Sequence, residues 1–320
     1  HHLNFKKAMS NNLKKIYITG VSGFIGSRVA KLFLENHHQV IGITRRFGPA
    51  VGRELDINVI EADLDDANNL ELEAADAIIH CATPNEILSK NVGAGLSLSI
   101  VGTSKLLEAS RNAKISNLIF FSTAQVYGTE LNGYFDETTQ VDCQTPYAIN
   151  HYLGEELCKY YCNIKDFNIT VIRPSNIYGA PEISTVNRRT LVPMCFVEEA
   201  INFGSITLRS SGKQTRNFVS TEQVAELTSK IVESFPKGFS VRNCGSNLYL
   251  SMLDVAYLVS DYYKKRYKKN LIINTESYEP TIPNSFEYRS KFDKFFETSE
   301  DCKNKINLTI DQLFKSYENA

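Results

Sequence analysis

Short apolar runs alternate with amphipathic stretches along the chain from Lys15 onward. The runs are rich in β-branched and aromatic residues, and the stretches between them place apolar residues at helical spacing. This alternation predicts βαβ units, in which parallel strands form one sheet with helices on both faces. The predicted strands are residues 15–19, 39–43, 58–60, 77–80, 117–122 and 169–173. The fold class is therefore α/β, with a doubly wound parallel sheet.

The helices are predicted from apolar positions three and four residues apart. They are residues 24–36, 96–109 and 222–234, and a strand at residues 239–243 is predicted to return to the sheet. Beyond Pro174 the regular alternation weakens. Ser251 and Asp254 form a capping-box pattern at the start of a further helix.

Three glycines stand where the first strand meets the first helix. Gly20, Gly23 and Gly26 let the backbone turn tightly, admit a pyrophosphate to the amides and bring the helix close to the sheet. The positive helix N-terminus then attracts the anion. This turn predicts a Rossmann-type dinucleotide site, and the alternative is a glycine turn that binds nothing. Its residues are Gly20, Ser22, Gly23, Phe24, Ile25 and Gly26.

The end of the second strand bears on which dinucleotide binds. An acid there accepts from the ribose hydroxyls of NAD, whereas arginine accommodates the 2′-phosphate of NADP. The chain has Arg45 and Arg46 there, which favours NADP over NAD. The alternative interpretation is that the two arginines are ordinary charged residues of a loop. Asp63, followed by Leu64, is a candidate acceptor for the adenine amino group, or a helix cap.

Charge and composition narrow the class of partner. A net charge of −1 does not suit binding to a phosphate backbone, so a nucleic-acid partner is not expected. No apolar run is long enough to span a bilayer and no signal peptide is recognised, so we expect no membrane partner and a cytoplasmic location. The seven cysteines show no metal-ligand spacing, so no metal site is predicted.

Two interleaved domains are expected from these elements. Residues 13–178 with 217–245 form the predicted dinucleotide-binding domain, and residues 179–216 with 246–320 form a smaller C-terminal substrate domain. Residues 1–12, which begin with His1 and His2, are interpreted as a tag remnant or a disordered segment.

Five motifs, of which the glycine turn is the first, follow one another along the chain. Residues 19–26 are similar to TGxxGFIG, 80–83 to HxAA, 121–128 to SSxxVYG, 173–179 to RPxNxYG and 212–219 to GxGxQxRDFV. In this order the chain resembles the extended short-chain dehydrogenase/reductase superfamily, in particular its NAD(P)-dependent nucleotide-sugar epimerases, dehydratases and reductases. The resemblance covers nearly the whole chain and implies a nucleotide-sugar substrate and a homodimer.

The resemblance also assigns roles to residues. It implies that Thr123 bonds the substrate oxygen and that Tyr147 transfers the proton, while the helix position that follows Tyr147 by four residues holds the nicotinamide ribose. It further implies cofactor contacts by Cys81, Ala82, Thr83, Tyr147, His151 and Pro174, and substrate contacts by Thr123, Ala124, Gln125, Asn176 and Arg216.

The chain departs from the family at three places. His151 stands where the family has the lysine of Tyr-x-x-x-Lys, and Ser99 stands where it has the asparagine of a proton relay. With an ordinary pKa near 6.5, a histidine acidifies Tyr147 less than a lysine does, although it is expected to donate to the ribose. Ala124 and Gln125 replace the Asp-Glu pair of the dehydratases, which disfavours dehydration.

A protonated tyrosine suits reduction better than oxidation. The hypothesis is therefore an NADPH-dependent reductase of a keto group, at C4, on a nucleotide-linked deoxy-sugar. The alternatives are an NAD-dependent nucleotide-sugar 4-epimerase and a non-catalytic dinucleotide-binding module. The sugar, the nucleotide base and the stereochemistry are left open by the sequence.

Overall fold

The computed structural model of the chain describes residues 13–66, 70–186, 188, 190–276, 285–295 and 297–318. Residues 1–12, interpreted above as a tag remnant or a disordered segment, lie outside the described residues. The strands in the described part are β1 (Lys15–Thr19), β2 (Gln39–Thr44), β3 (Asn58–Glu61), β4 (Ala77–His80), β5 (Asn117–Phe121), β6 (Gly133–Phe135), β7 (Asn168–Pro174), β8 (Asn176–Tyr178), β9 (Ser205–Leu208), β10 (Thr215–Ser220), β11 (Phe239–Cys244), β12 (Leu248–Ser251), β13 (Ile272–Thr275) and β14 (Phe286–Tyr288).

Helices connect and cover these strands. They are α1 (Phe24–Glu35), α2 (Gly48–Leu55), α3 (Val92–Leu96), α4 (Thr103–Asn112), α5 (Pro146–Lys165), α6 (Met194–Phe203), α7 (Thr221–Glu233), α8 (Met252–Tyr267) and α9 (Ser299–Glu318). The predicted capping box is present, because Ser251 and Asp254 bond reciprocally at the start of α8. Among the described residues, no helix has the length and apolar character needed to cross a membrane.

The main sheet has seven parallel strands in the order β11-β7-β5-β4-β1-β2-β3. The chain builds outward from β1 to β3 and then returns to place β4 on the other side of β1. This reversal leaves a crevice at the carboxyl ends of β1 and β4, which is where ligands bind in open α/β sheets. The predicted doubly wound Rossmann fold is confirmed, as is the return of strand 239–243 to the sheet.

Successive side chains of a strand point to opposite faces of the sheet, so the apolar core lies on both faces. Ile16 and Ile18 of β1 pack into the cluster that includes residues of α1 and α7, while Tyr17 packs against residues of α4 and α5. A third cluster lies apart from the sheet and is built from α6, α8 and α9. A second domain needs a hydrophobic core of its own, and the third cluster is such a core. The division into two interleaved domains stays a prediction.

Two local features differ from the prediction. The single helix expected at residues 96–109 is α3 and α4, joined by a π-helical turn at Ser97–Gly102. Inside that turn the buried Ser99 hydroxyl donates to the backbone carbonyl of Asn150 on α5. The helix α2 was not predicted, because its apolar contribution to the core is only Val51 and Leu55.

Candidate active site

A cavity of about 600 Å³ opens along the carboxyl ends of β1, β2, β4 and β5. It passes from the glycine turn, past the loop after β4, to the start of α5 and to the segment after β8. The predicted cofactor residues that line it are Gly20, Ser22, Gly23, Phe24, Ile25, Gly26, Arg45, Asp63, Leu64, Cys81, Ala82, Thr83, Tyr147, His151 and Pro174. Its position at the reversal of strand order and its lining suit an extended dinucleotide.

The glycine turn has the geometry of an anion cradle. Gly20 has φ +65°, a conformation that side chains rarely adopt, and a Cβ on Gly26 would lie 2.3 Å from the carbonyl oxygen of Gly20. Within the described part of the chain no side chain caps the start of α1, so its first amides are open to a ligand. The residues present therefore fit a pyrophosphate.

The two arginines after β2 are placed differently. Arg45 is exposed and lines the cavity, whereas Arg46 is exposed and does not line it. The Thr44 hydroxyl donates to the carbonyl of Arg46 at 3.0 Å, which holds the turn. Burial and a hydrogen bond to Asp65 raise the pKa of Asp63, and the charge of Arg45 opposes this rise. The pocket predicted for a 2′-phosphate thus contains one arginine and a neighbouring acidic pair.

The three predicted catalytic residues converge at the far end of the cavity. Thr123 follows β5 and is buried, while Tyr147 and His151 lie one turn apart on α5. Thr145 caps that helix by accepting from the Ala148 amide at 3.1 Å. The rings of Tyr147 and His151 meet edge to face, 4.5 Å between centroids. As predicted, the side chains of Tyr147 and His151 point toward the same region. Their catalytic roles stay predictions.

His151 is neutral and held in one orientation. Its exposed fraction is 2%, and burial lowers its pKa to about 4 although the Pro84 and Phe121 carbonyls and Glu86 favour the charged form. Nε2 lies 3.0 Å from the Pro84 carbonyl oxygen. Since a carbonyl only accepts, the proton is on Nε2. Nδ1 is buried and has no hydrogen-bond partner among the described residues.

This orientation corrects one expectation. His151 was expected to donate to the ribose, but its N–H is already committed to Pro84. Nδ1 carries no proton and can only accept, so it suits a ligand hydroxyl that donates; because this atom is closed to solvent, such a ligand reaches it only after neighbouring atoms move. An unpaired polar atom in a buried site is costly until a ligand satisfies it.

The groups around Tyr147 change the pKa of its hydroxyl in opposite directions. Burial raises the pKa of Tyr147, while the Arg188 guanidinium and the Thr123 hydroxyl lower it and Glu86 raises it further; the net direction is upward. The hydroxyl is therefore protonated near neutral pH. The asparagine relay of the resemblance is not rebuilt by Ser99, because its hydroxyl is bonded to the Asn150 carbonyl.

A second cavity of about 400 Å³ adjoins the first at Thr123. The predicted substrate residues Thr123, Gln125 and Asn176 line both cavities, whereas Ala124 and Arg216 line only the second. The amide of Asn176 donates to the Asn217 carbonyl at 2.9 Å. Burial lowers the pKa of Arg216, which stays a cation under all ordinary conditions. Most of the described residues that line this cavity are polar, and Arg216 and Glu130 are its charged members. Such a lining suits a sugar that carries a charged group.

A buried network supports the strand ends behind these residues. The Glu155 carboxylate accepts from Ser122 at 2.5 Å and from Nε of Arg173 at 2.9 Å. Arg173 also donates to the Tyr127 hydroxyl at 2.8 Å, and that hydroxyl donates to Asn243 at 2.8 Å. The network ties α5, β5, β7 and β11 together directly beside Thr123, and so fixes the catalytic end of the sheet.

Comparison with known proteins agrees with this geometry. The sequence model of the NAD dependent epimerase/dehydratase family matches residues 16–245. The chain belongs to this family.

Relatives of the family extend over almost the whole chain. The dTDP-D-glucose 4,6-dehydratase of Bos taurus is 23% identical, with 96% of this chain and 90% of that protein covered. The UDP-N-acetylglucosamine 4-epimerase of Methanobrevibacter ruminantium superposes with a TM-score of 0.79 at 20% identity, covering 96% and 99% of the two chains. The dTDP-glucose 4,6-dehydratase of Streptomyces venezuelae, solved with NAD bound, gives 0.77 at 18% identity, covering 94% and 97%. The structural likeness shows a shared fold.

Two residues of the cavity were missed by the sequence reasoning. Glu86 follows the loop after β4, and Arg188 lies in the segment after β8; both line the first cavity. Arg188 Nη2 lies 3.0 Å from Glu86 Oε2, and Thr190 donates to Glu86 Oε1 at 2.7 Å. Neither residue belongs to a motif of the family resemblance. Their separation by 102 residues gave no sequence signal that they meet.

Among the described residues, no group of three or more His, Cys, Asp or Glu side chains is placed to hold a metal ion.

Proposed function

We infer that the chain is a nicotinamide-dependent reductase that acts on a keto group of a nucleotide-linked deoxy-sugar, at C4. The observation that carries this proposal is the protonated Tyr147 beside Thr123, with a neutral His151 in the lysine position. An oxidation would need the phenolate as a base, whereas a reduction needs the phenol as an acid. The neighbouring Ala124 and Gln125 supply no acid or base for the loss of water.

The residues of the chain have the following tasks in this reaction. The hydride for the carbonyl carbon would come from a reduced nicotinamide, when one is bound. Thr123 orients the carbonyl oxygen by hydrogen bonding, and Tyr147 gives its proton to that oxygen as the carbon–oxygen double bond opens. His151 would accept a hydrogen bond from a ribose hydroxyl through Nδ1, and the glycine turn would hold the pyrophosphate.

We further propose NADPH as the preferred reductant. Arg45 is the cation at the end of β2 that faces the cavity, and it supports a 2′-phosphate. Its effect is moderated by Asp63 and Asp65, so the preference for NADPH over NADH is expected to be modest.

The substrate nucleotide is proposed to extend into the second cavity. Arg216 would contact the diphosphate there, with Asn176 at the junction of the two cavities. Relatives are named for dTDP-sugars and UDP-sugars, which supports a pyrimidine nucleotide.

The test is consumption of NADPH by the purified protein with dTDP- or UDP-linked 4-keto-6-deoxy-sugars. The expected result is stoichiometric oxidation of NADPH and formation of the 4-hydroxy sugar, with loss of activity in Tyr147→Phe. Conversion of a nucleotide sugar into its epimer without net cofactor consumption would refute the proposal. Binding of cofactor with no turnover of either substrate class would instead favour the non-catalytic module.

The 4-epimerase remains the second candidate, because one charge in the cavity favours it. Arg188 lowers the pKa of Tyr147, which assists formation of a phenolate. The structures of related proteins with bound NAD also suit an enzyme that recycles its cofactor. Release of NAD from the denatured, freshly purified protein would support this candidate over the reductase.

A homodimer is proposed through the exposed side of α5. Ile149, Leu153, Tyr160 and Ile164 are exposed apolar residues at helical spacing along it, and Val101 is exposed on the neighbouring π-helical turn. Such a continuous apolar stripe is typical of a helix–helix contact. Sedimentation of Leu153→Glu as a monomer, with a dimer for the wild type and for Phe203→Glu, would support this surface.

A further inference from the structure

The replacement of lysine by His151 removes a positive charge from the catalytic end of the cavity. Among the described residues that line the cavity, the permanent cations are Arg45 and Arg188. Arg45 lies at the end of β2, beside the glycine turn. Arg188 enters from the segment after β8, together with Thr190 and Leu191, and shares the cavity with Tyr147 and His151.

Arg188 is held in place by contacts to the first half of the chain. Its guanidinium contacts both oxygens of Glu86, at 3.0 and 3.3 Å, and its Nε is buried without a hydrogen-bond partner among the described residues. Glu182 on the same segment pairs with Lys31 of α1 at 2.7 Å, and the Ser184 amide donates to Glu54 of α2 at 2.8 Å. The segment is therefore anchored across the top of the sheet at three points.

We propose that Arg188 is a positioning residue that supplies, from the segment after β8, the positive charge beside Tyr147 that a lysine at position 151 would supply. The proposal rests on the proposed function, in which Tyr147 transfers the proton. When Tyr147 gives its proton to the substrate oxygen, it becomes a phenolate, and a nearby cation stabilises that anion. The tasks of one lysine are thus divided, with ribose binding at His151 and charge at Arg188.

Glu86 sets the strength of this effect. It pairs with Arg188 and raises the pKa of Tyr147 and of His151, whereas Arg188 lowers the pKa of Tyr147. Although burial raises the pKa of Glu86, the Arg188 charge and the Thr190 hydroxyl bring it below the ordinary value, so Glu86 is an anion. Among the described residues, the groups that act on the pKa of Tyr147 are then one cation, one anion and the Thr123 hydroxyl, while the neutral ring of His151 packs against the tyrosine ring.

The decisive experiment titrates Tyr147 in variants whose charges change in opposite directions. Tyrosinate absorbance is followed against pH, and the signal of Tyr147 is isolated by difference from Tyr147→Phe. Arg188→Gln should raise the pKa of Tyr147 by about one pH unit, and Glu86→Gln should lower it, since an opposite charge at close range acts with this magnitude. Arg188→Lys should restore most of the wild-type value because it keeps the charge.

Glu182→Gln is the matched control, because it breaks an ion pair of the same segment away from Tyr147 and should leave the titration unchanged. An unchanged Tyr147 titration in Arg188→Gln, or a displacement in the same direction in Arg188→Gln and Glu86→Gln, would overturn the inference. The titration needs no turnover. Opposite displacements without reductase activity would therefore contradict the proposed function while supporting the role of Arg188.

Discussion

The glycine turn allows folding and cofactor binding to be perturbed separately. An alanine Cβ at Gly26 would lie 2.3 Å from the oxygen and 2.8 Å from the carbon of the Gly20 carbonyl, and 3.0 Å from Cα of Val21. These are backbone atoms in a rigid turn, since the Gly20 amide donates to the Ile43 carbonyl at 2.8 Å. The helix must therefore move away from the sheet in Gly26→Ala.

The same substitution at Gly23 has a different result. A Cβ there would lie 3.1 Å from the Gly20 oxygen, and the residue has φ −93° and ψ 175°, which alanine adopts without strain. The protein should fold, but the methyl group occupies the space that a pyrophosphate needs in order to reach the amides. Gly23→Ala should therefore lose cofactor affinity and keep its stability.

The magnitudes follow from these distances. Overpacking against fixed backbone costs up to about 3 kcal/mol, which corresponds to a fall in Tm of up to about 4–5 °C for Gly26→Ala in a chain of this length. Gly23→Ala should stay within about 2 °C of the wild type, while its Kd for NADPH rises about tenfold or more, a loss of about 1.4 kcal/mol. Gly93→Ala is the control, because the nearest atom to its added Cβ is Asn91 Oδ1 at 3.6 Å.

Thermal unfolding and fluorescence titration with NADPH measure both quantities. A Gly26→Ala variant that unfolds at the wild-type temperature would show that the helix does not approach the turn as closely as described. Wild-type affinity in Gly23→Ala would show that the pyrophosphate does not lie against these amides. Either result would refute the argument from the glycine spacing.

Three further predictions concern charge. Burial holds the pKa of His80 near 3 and that of His151 near 4, below the ordinary 6.5, so the unfolded chain binds protons that the folded chain does not. The free energy of unfolding should have its highest value above about pH 6.5 and should fall as the pH drops, by about 2 kcal/mol per histidine at about pH 5. Urea midpoints that do not change with pH would contradict this prediction. Arg45→Ala should weaken NADPH about tenfold and leave NADH unchanged, as measured by the two Kd values, and an equal effect on both cofactors would exclude a 2′-phosphate contact. Glu155→Gln breaks the buried pair with Arg173 and should lower the free energy of unfolding by about 3 kcal/mol in urea titrations, with a loss below about 1 kcal/mol counting against the network.

Local sequence patterns determined much of the fold. The strands of the main sheet end within one residue of their predicted positions, because a short apolar run and a turn at each end are properties of short segments. The spacing of Tyr147 and His151 likewise placed both rings on one side of α5, since a helix fixes which residues share a face. The glycine turn and the family followed from residues adjacent in the chain.

The tertiary structure decided which atoms of these residues are available. The sequence allowed His151 to donate to a ribose, but its Nε2–H already donates to the Pro84 carbonyl of another loop, which leaves Nδ1 as an acceptor. Arg45 and Arg46 were equivalent in sequence, yet one lines the cavity and the other does not. The pairing of Glu86 with Arg188 depends on how two distant segments cross the sheet. Contacts between segments so far apart arise from packing of the whole chain, and no local period encodes them.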